Sequence, residues 1–139
     1  MIFIQYNAAK GLKDKGFDIP CFAKYFEMDV NKDEKTLISN NPEKLWDFNH
    51  MYMDPKDLNT NIMISAPIYD DVIMWFQDRN VFIETQLDQT NGVKFAYEIT
   101  SFDGEFFKRE TNVKEWSLYY DRLEALDAAF MEALQLIKA

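Results

Sequence analysis

Between Ile64 and Leu87 the spacing of apolar residues changes once, at Asn80, and this change constrains the fold more than any other feature of the chain. Ile68, Val72, Trp75 and Phe76 recur at helical intervals, and Tyr69 and Ile73 widen the same stripe. Ser65 carries the hydroxyl of a helix cap and Pro67 suits a first turn. Asp70 and Asp71 stand where the positive end of a helix dipole favours acids. Beyond Asn80, which tolerates the left-handed backbone of a helix terminus, Val81-Phe82-Ile83-Glu84-Thr85-Gln86-Leu87 alternates as a strand does. The stretch predicts a helix that runs from Ser65 to Asn80 and feeds directly into a strand.

The alternation resumes at Val93, Phe95, Tyr97 and Ile99. A turn through Thr90-Asn91-Gly92 would pair Leu87 with Phe95 and Ile83 with Ile99, bringing the large apolar residues to one face and Glu84 opposite Glu98. Asp103-Gly104 reads as a two-residue hairpin, which brings Arg109, on a strand from Glu105 to Thr111, beside Glu98. A last helix starts near Tyr120 or Asp121, with Leu123, Leu126, Phe130, Ala133, Leu134 and Ile137 along one stripe.

Upstream, Asn7 is a candidate cap and Gly16 a natural terminator for a first helix. Pro20 turns the chain into a strand from Cys21 to Met28, and Lys35 to Ser39 returns as its hairpin partner. Residues 40–61 are irregular, apart from one or two helical turns at Pro42-Glu43-Lys44-Leu45-Trp46. The fold class expected is α+β. One domain over residues 1–139 would hold a hairpin and a three-stranded antiparallel meander, with about three helices packed on one face. With 47% apolar residues, a chain of this length has enough to bury a core. No apolar run reaches the ~18 residues of a membrane span, and Met1-Ile2-Phe3-Ile4 lacks the form of a signal peptide, so a cytoplasmic location is expected.

The net charge of −9 and the scatter of the basic residues disfavour direct binding to a nucleic-acid backbone. One cysteine, Cys21, and one histidine, His50, cannot supply the usual zinc ligands, and no phosphate loop, dinucleotide fingerprint or nucleophile elbow is present. No cofactor is expected. His50 has Asp47 three residues before it, but the sequence offers no activated nucleophile to complete a catalytic set. Cys21 reads as a small buried hydrophobe. Glu84 and Glu98 would share a hairpin and could hold Mg²⁺, although Arg109 makes an ordinary cross-strand ion pair the simpler reading. The aromatics Trp46, Phe48, Tyr52, Trp116, Tyr119 and Tyr120 lie in or beside irregular segments. The first five are the candidate partner-binding residues, and closure of a small core is the competing use.

Three blocks carry a resemblance: Gly16-Phe17-Asp18-Ile19-Pro20-Cys21-Phe22, then Ile64-Ser65-Ala66-Pro67-Ile68-Tyr69 with Trp75-Phe76, then the Ala- and Leu-rich Leu123 to Leu134. In this order they resemble a family of small proteins, without an assigned activity, from gut Bacteroidetes genomes and their phages and prophages. The resemblance implies a mobile-element setting and supplies no site residues. The expected function is that of a non-enzymatic accessory protein that binds another protein through aromatic anchors and an acidic surface, with self-association open. The alternatives are an acidic mimic of nucleic acid that blocks a DNA-binding protein, and a small carboxylate-dependent hydrolase.

Overall fold

The computed structural model describes residues 2–27, 35–38, 45–50, 62–88, 92–111 and 119–138. The chain is α+β, with helices α1 (Tyr6–Asp14), α2 (Tyr69–Gln77) and α3 (Arg122–Leu134). Strands β1 (Ala23–Glu27), β2 (Lys35–Ile38) and β3 (Ile62–Ser65) form one antiparallel sheet in the order β2-β1-β3. Strands β4 (Val81–Asp88), β5 (Lys94–Phe102) and β6 (Phe107–Thr111) form a second, a meander in chain order. The residues group into two compact units, one up to Asp71 and one from Val72 to Lys138, with the division falling inside α2.

In the first unit, Ala8, Ala9 and Leu12 bury one face of α1, which lies against β3. Gln5, not Asn7, precedes the helix, and no side chain caps it; Gly16 ends it at φ 88°, a conformation that costs glycine little. The Lys13 Nζ donates to the Met63 carbonyl at 2.7 Å, and the Tyr25 hydroxyl donates to the Ile4 carbonyl at 2.7 Å. The expected β1–β2 hairpin forms with Ala23 opposite Ile38. On its other side β1 takes a partner that local spacing does not reveal, β3, with Lys24 opposite Ser65.

Ser65 is therefore a strand residue and not a helix cap. It is 1% exposed, and α2 begins only at Tyr69. The reason is competition for backbone partners: Ile62–Ser65 gains a ladder with β1, and the carbonyl of buried Pro67 accepts from the Ile4 amide at 3.0 Å. Asp70 and Asp71 do occupy the first turn of α2. Leu45 and Trp46 are not helical. Trp46 forms a bridge with Cys21, and a 3₁₀ turn follows at Phe48–His50.

In the second unit the expected register holds. Leu87 faces Phe95, Ile83 faces Ile99 and Glu84 faces Glu98, while Gly92 at φ 97° and Asn80 at φ 60° take left-handed conformations. The apolar face is narrower than expected, since Leu87 and Val93 at its end are 52% and 69% exposed. Arg79 closes α2 by donating to the Trp75 carbonyl at 3.0 Å with its guanidinium 3.9 Å from the Trp75 ring centre. Asp121 caps α3 by accepting from the Leu123 amide at 2.7 Å. α3 covers β4 and β5, and its Phe130 stacks on Phe76 of α2.

The second hairpin corrects the two-residue reading of Asp103-Gly104. Phe102 pairs with Phe107, so the loop spans Asp103 to Phe106 and β6 begins two residues later than expected. One Asp103 carboxylate oxygen accepts from the amides of Glu105 at 2.8 Å and Phe106 at 2.9 Å, which folds the loop on itself. Those amides, Phe106 first, hold the Asp103 carboxyl below its ordinary range. A shift of two residues preserves which face each β6 side chain takes, so Arg109 still reaches Glu98.

Candidate functional site

Two places gather the residues that chemistry would need. The first surrounds the 3₁₀ turn. His50 Nδ1 lies 2.7 Å from Asp47 Oδ2, a local pair three residues apart with the ring largely exposed. Cys21 is 3% exposed and its thiol donates to the Ala23 carbonyl at 3.1 Å. Burial pushes its pKa up, against the lowering effect of Ser65 and backbone bonds, so the nucleophilic thiolate is disfavoured.

What the turn does is structural, and Asn49 does it. Its side chain accepts from the Ser65 amide at 2.8 Å and donates to the Phe17 carbonyl at 3.1 Å. Its own amide donates to the Ser65 hydroxyl at 3.2 Å. Asn49 thus fastens the turn to β3 and to the end of the first helical segment. Sequence reasoning missed it because its partners are 16 and 32 residues away.

The second place is a groove of about 340 Å³ on the meander, lined by Phe82, Glu84, Glu98, Thr100, Phe107 and Arg109. Tyr97 bonds to Glu132 of α3, and Arg122 of α3 donates to Thr85, so the odd-numbered residues of β4 and β5 face the helix. Of the even-numbered ones, Phe82, Glu84, Glu98 and Thr100 line the groove on the opposite face. Burial, and after it Glu132, pushes the Tyr97 phenol well above its ordinary pKa, so it remains a neutral donor.

Within the groove Glu98 is fully engaged. Arg109 Nε lies 3.0 Å from one of its oxygens, and Gln86 Nε2 donates to the other at 2.9 Å. Glu84, directly across the hairpin, is exposed and meets no such group among the described residues. Like charges directly opposite are unfavourable, so Glu84→Lys is expected to raise stability by a few tenths of a kcal/mol, up to ~1. A urea midpoint lower than the parent's would contradict that. Among the described residues no group of three His, Cys, Asp or Glu could hold a metal ion.

The aromatic residues divide. Phe48 is 4% exposed with the Lys24 ammonium 5.1 Å from its ring centre, so it belongs to the core of the first unit. Trp46 and Tyr119 are half-buried and make single strand bridges, to Cys21 and Phe95. Tyr120 is 77% exposed under the Lys94 ammonium, whereas Tyr52 and Trp116 lie outside the described residues. The more prominent pair does not stand out from sequence spacing. Phe106 and Phe107, at the second hairpin, are 73% and 70% exposed, and Phe107 stacks on Phe102 at 4.6 Å. Two consecutive phenylalanines beside a turn residue are the signal that could have found them.

No helix among the described residues is long and apolar enough to cross a membrane. Compared with protein-family models, with curated proteins and with solved structures, the chain matches none.

Proposed function

We propose that this is a non-enzymatic interaction protein that docks another protein on the outer edge of its meander. The observation that carries the reading is the exposure of Phe106 and Phe107 on a hairpin held by Asp103. Isolated exposed hydrophobes are ordinary, but two large rings exposed at consecutive positions of one hydrogen-bonded hairpin concentrate apolar surface at the end of the meander. Beside them, the outer edge of Phe107–Glu110 is unpaired among the described residues and offers backbone groups to an added strand. The resemblance to small proteins of Bacteroidetes and their phages supports a mobile-element setting for such an accessory role.

The groove supports docking better than hydrolysis, because Arg109 already neutralises one of its two carboxylates. An acidic mimic of nucleic acid draws little support from the second unit. Asp103 folds a turn, Asp121 caps a helix, Glu98 and Glu110 pair with Arg109 and Lys108, and Asp127 is buried.

The test is retention from a lysate of the producing cells on immobilised full-length protein and on a Phe106→Ser, Phe107→Ser double variant of matched folding. A partner held by the parent and lost by the variant is expected. Equal retention by both, or none by either, contradicts the reading.

A further inference from the structure

β6 ends the meander, and its outer edge presents a fixed order of side chains; assigning an occupant to that edge rests on the docking reading. Phe107 and Arg109 stand on the open face of the sheet, Lys108 and Glu110 on the face that carries α3. The exposed groups here are a ring and two cations. Phe107 is 70% exposed, and the side chains of Lys108 and Arg109 are 72% and 70% exposed. Their partners lie deeper: the side chains of Glu110, 3.2 Å from the Lys108 Nζ, and Glu98 are 33% and 13% exposed. Each pairing uses one N–H of a head that carries several, so both cations keep donors for a further acceptor. A strand added to this edge would lie about 4.8 Å from β6, with directly opposite Cβ atoms about 4.5–5.5 Å apart. Its side chains therefore meet those of β6 itself. A like charge opposite Lys108 or Arg109 is unfavourable and an opposite charge favourable. Lysines on edge strands commonly keep unrelated strands away. Lys108 and Arg109, one on each face, act in that way as a filter, which a segment with acids at two consecutive positions passes.

We propose that the partner segment pairing with β6 carries two consecutive acidic residues, opposite Lys108 and Arg109, beside an apolar residue opposite Phe107. Phe107 then supplies apolar anchorage, and the two cations select the charge of the segment. The chain as a whole bears a net charge of −9, so attraction to overall charge would give the reverse preference. Only pairing at the edge itself favours the acidic segment.

Six-residue peptides, capped at both ends, test this, with a central pair of glutamates, threonines or lysines flanked on each side by valine and then threonine. The residue order is the same from either end, so each peptide suits both strand directions. Each is titrated against the full chain and followed by the NMR signals of the amides of residues 105–110. The glutamate peptide is expected to bind about tenfold more tightly than the lysine peptide, from two attractions gained and two repulsions avoided. Lys108→Gln should weaken the glutamate peptide about threefold and leave the threonine peptide as it was. Lys138→Gln, which removes the same charge from an exposed position after α3, should leave both as in the parent. A lysine peptide that binds best, or equal losses from the two variants, would show attraction to overall charge and overturn the inference. Glutamate and threonine peptides that bind equally and are both lost on Phe107→Ser would overturn it too, while leaving the docking reading in place. Peptide binding indifferent to Phe107→Ser, or no shift at residues 105–110 with any peptide, would contradict both. Signals of residues 105–110 that move with protein concentration alone, with no peptide competing, would assign the edge to a second copy of the chain and overturn the proposal.

Discussion

Phe130→Ala is expected to remove about 3–5 kcal/mol of stability, the usual cost of deleting a fully buried phenyl ring. Phe130 is 0% exposed and stacks on Phe76 at 5.9 Å, so its ring joins the helix that leads into the meander to the helix that covers it. Leu126 and Leu134 of α3 and Trp75 of α2 are buried too. These large, rigid side chains leave little scope for collapse around the vacated space, and collapse is what would reduce the cost. Against a typical total of roughly 5–15 kcal/mol, the variant would be marginally folded or unfolded at ambient temperature. Urea unfolding followed by circular dichroism reads the loss directly. A loss below about 1 kcal/mol would mean that α2 and α3 do not share this core.

Asn49→Ala is expected to cost about 2–4 kcal/mol, by a different route. Alanine leaves the Ser65 amide and the Phe17 carbonyl without their partner, and each unsatisfied buried group costs about 1–3 kcal/mol. Ser65 is 1% exposed and Phe17 0%, so water cannot readily replace the lost amide. Asn49→Asp is informative beside it. The carboxylate can still accept from Ser65 but sets an acceptor oxygen against the Phe17 carbonyl instead of a donor, so it too should be less stable than the parent. Equal stability of all three proteins would show that Asn49 does not hold the turn to β3.

These two residues also mark what could be read from sequence. Phe130 lies on a regular stripe in a helix with its own cap, and nearest-neighbour spacing sufficed to place it inside. The β4–β5 register was equally legible, because alternation in both strands and a left-handed glycine between them agree on one pairing. From that register came the facing carboxylates and the approach of Arg109, although the loop before β6 is two residues longer than the Asp-Gly pair suggests. Asn49 and β3 were not legible. Ser65-Ala66-Pro67 has the chemistry of a helix start, and only the distant ladder with β1 makes Ile62–Ser65 a strand. Phe48 reads from sequence as a partner-binding candidate although it is buried, because nothing near it in the chain reveals the core it enters. The groove was half visible. Its charges follow from register, while the contribution of Phe82, Thr100 and Phe107 depends on which face α3 leaves open.

Hydrogen–deuterium exchange on the full chain, with and without the partner captured through Phe106 and Phe107, tests the docking edge most directly. Slowed exchange confined to the amides of residues 105–110, with α1 and the β1–β3 sheet unchanged, is the expected result. Unchanged exchange at residues 105–110, together with protection in the first unit, would place the interface elsewhere and contradict docking on the meander edge.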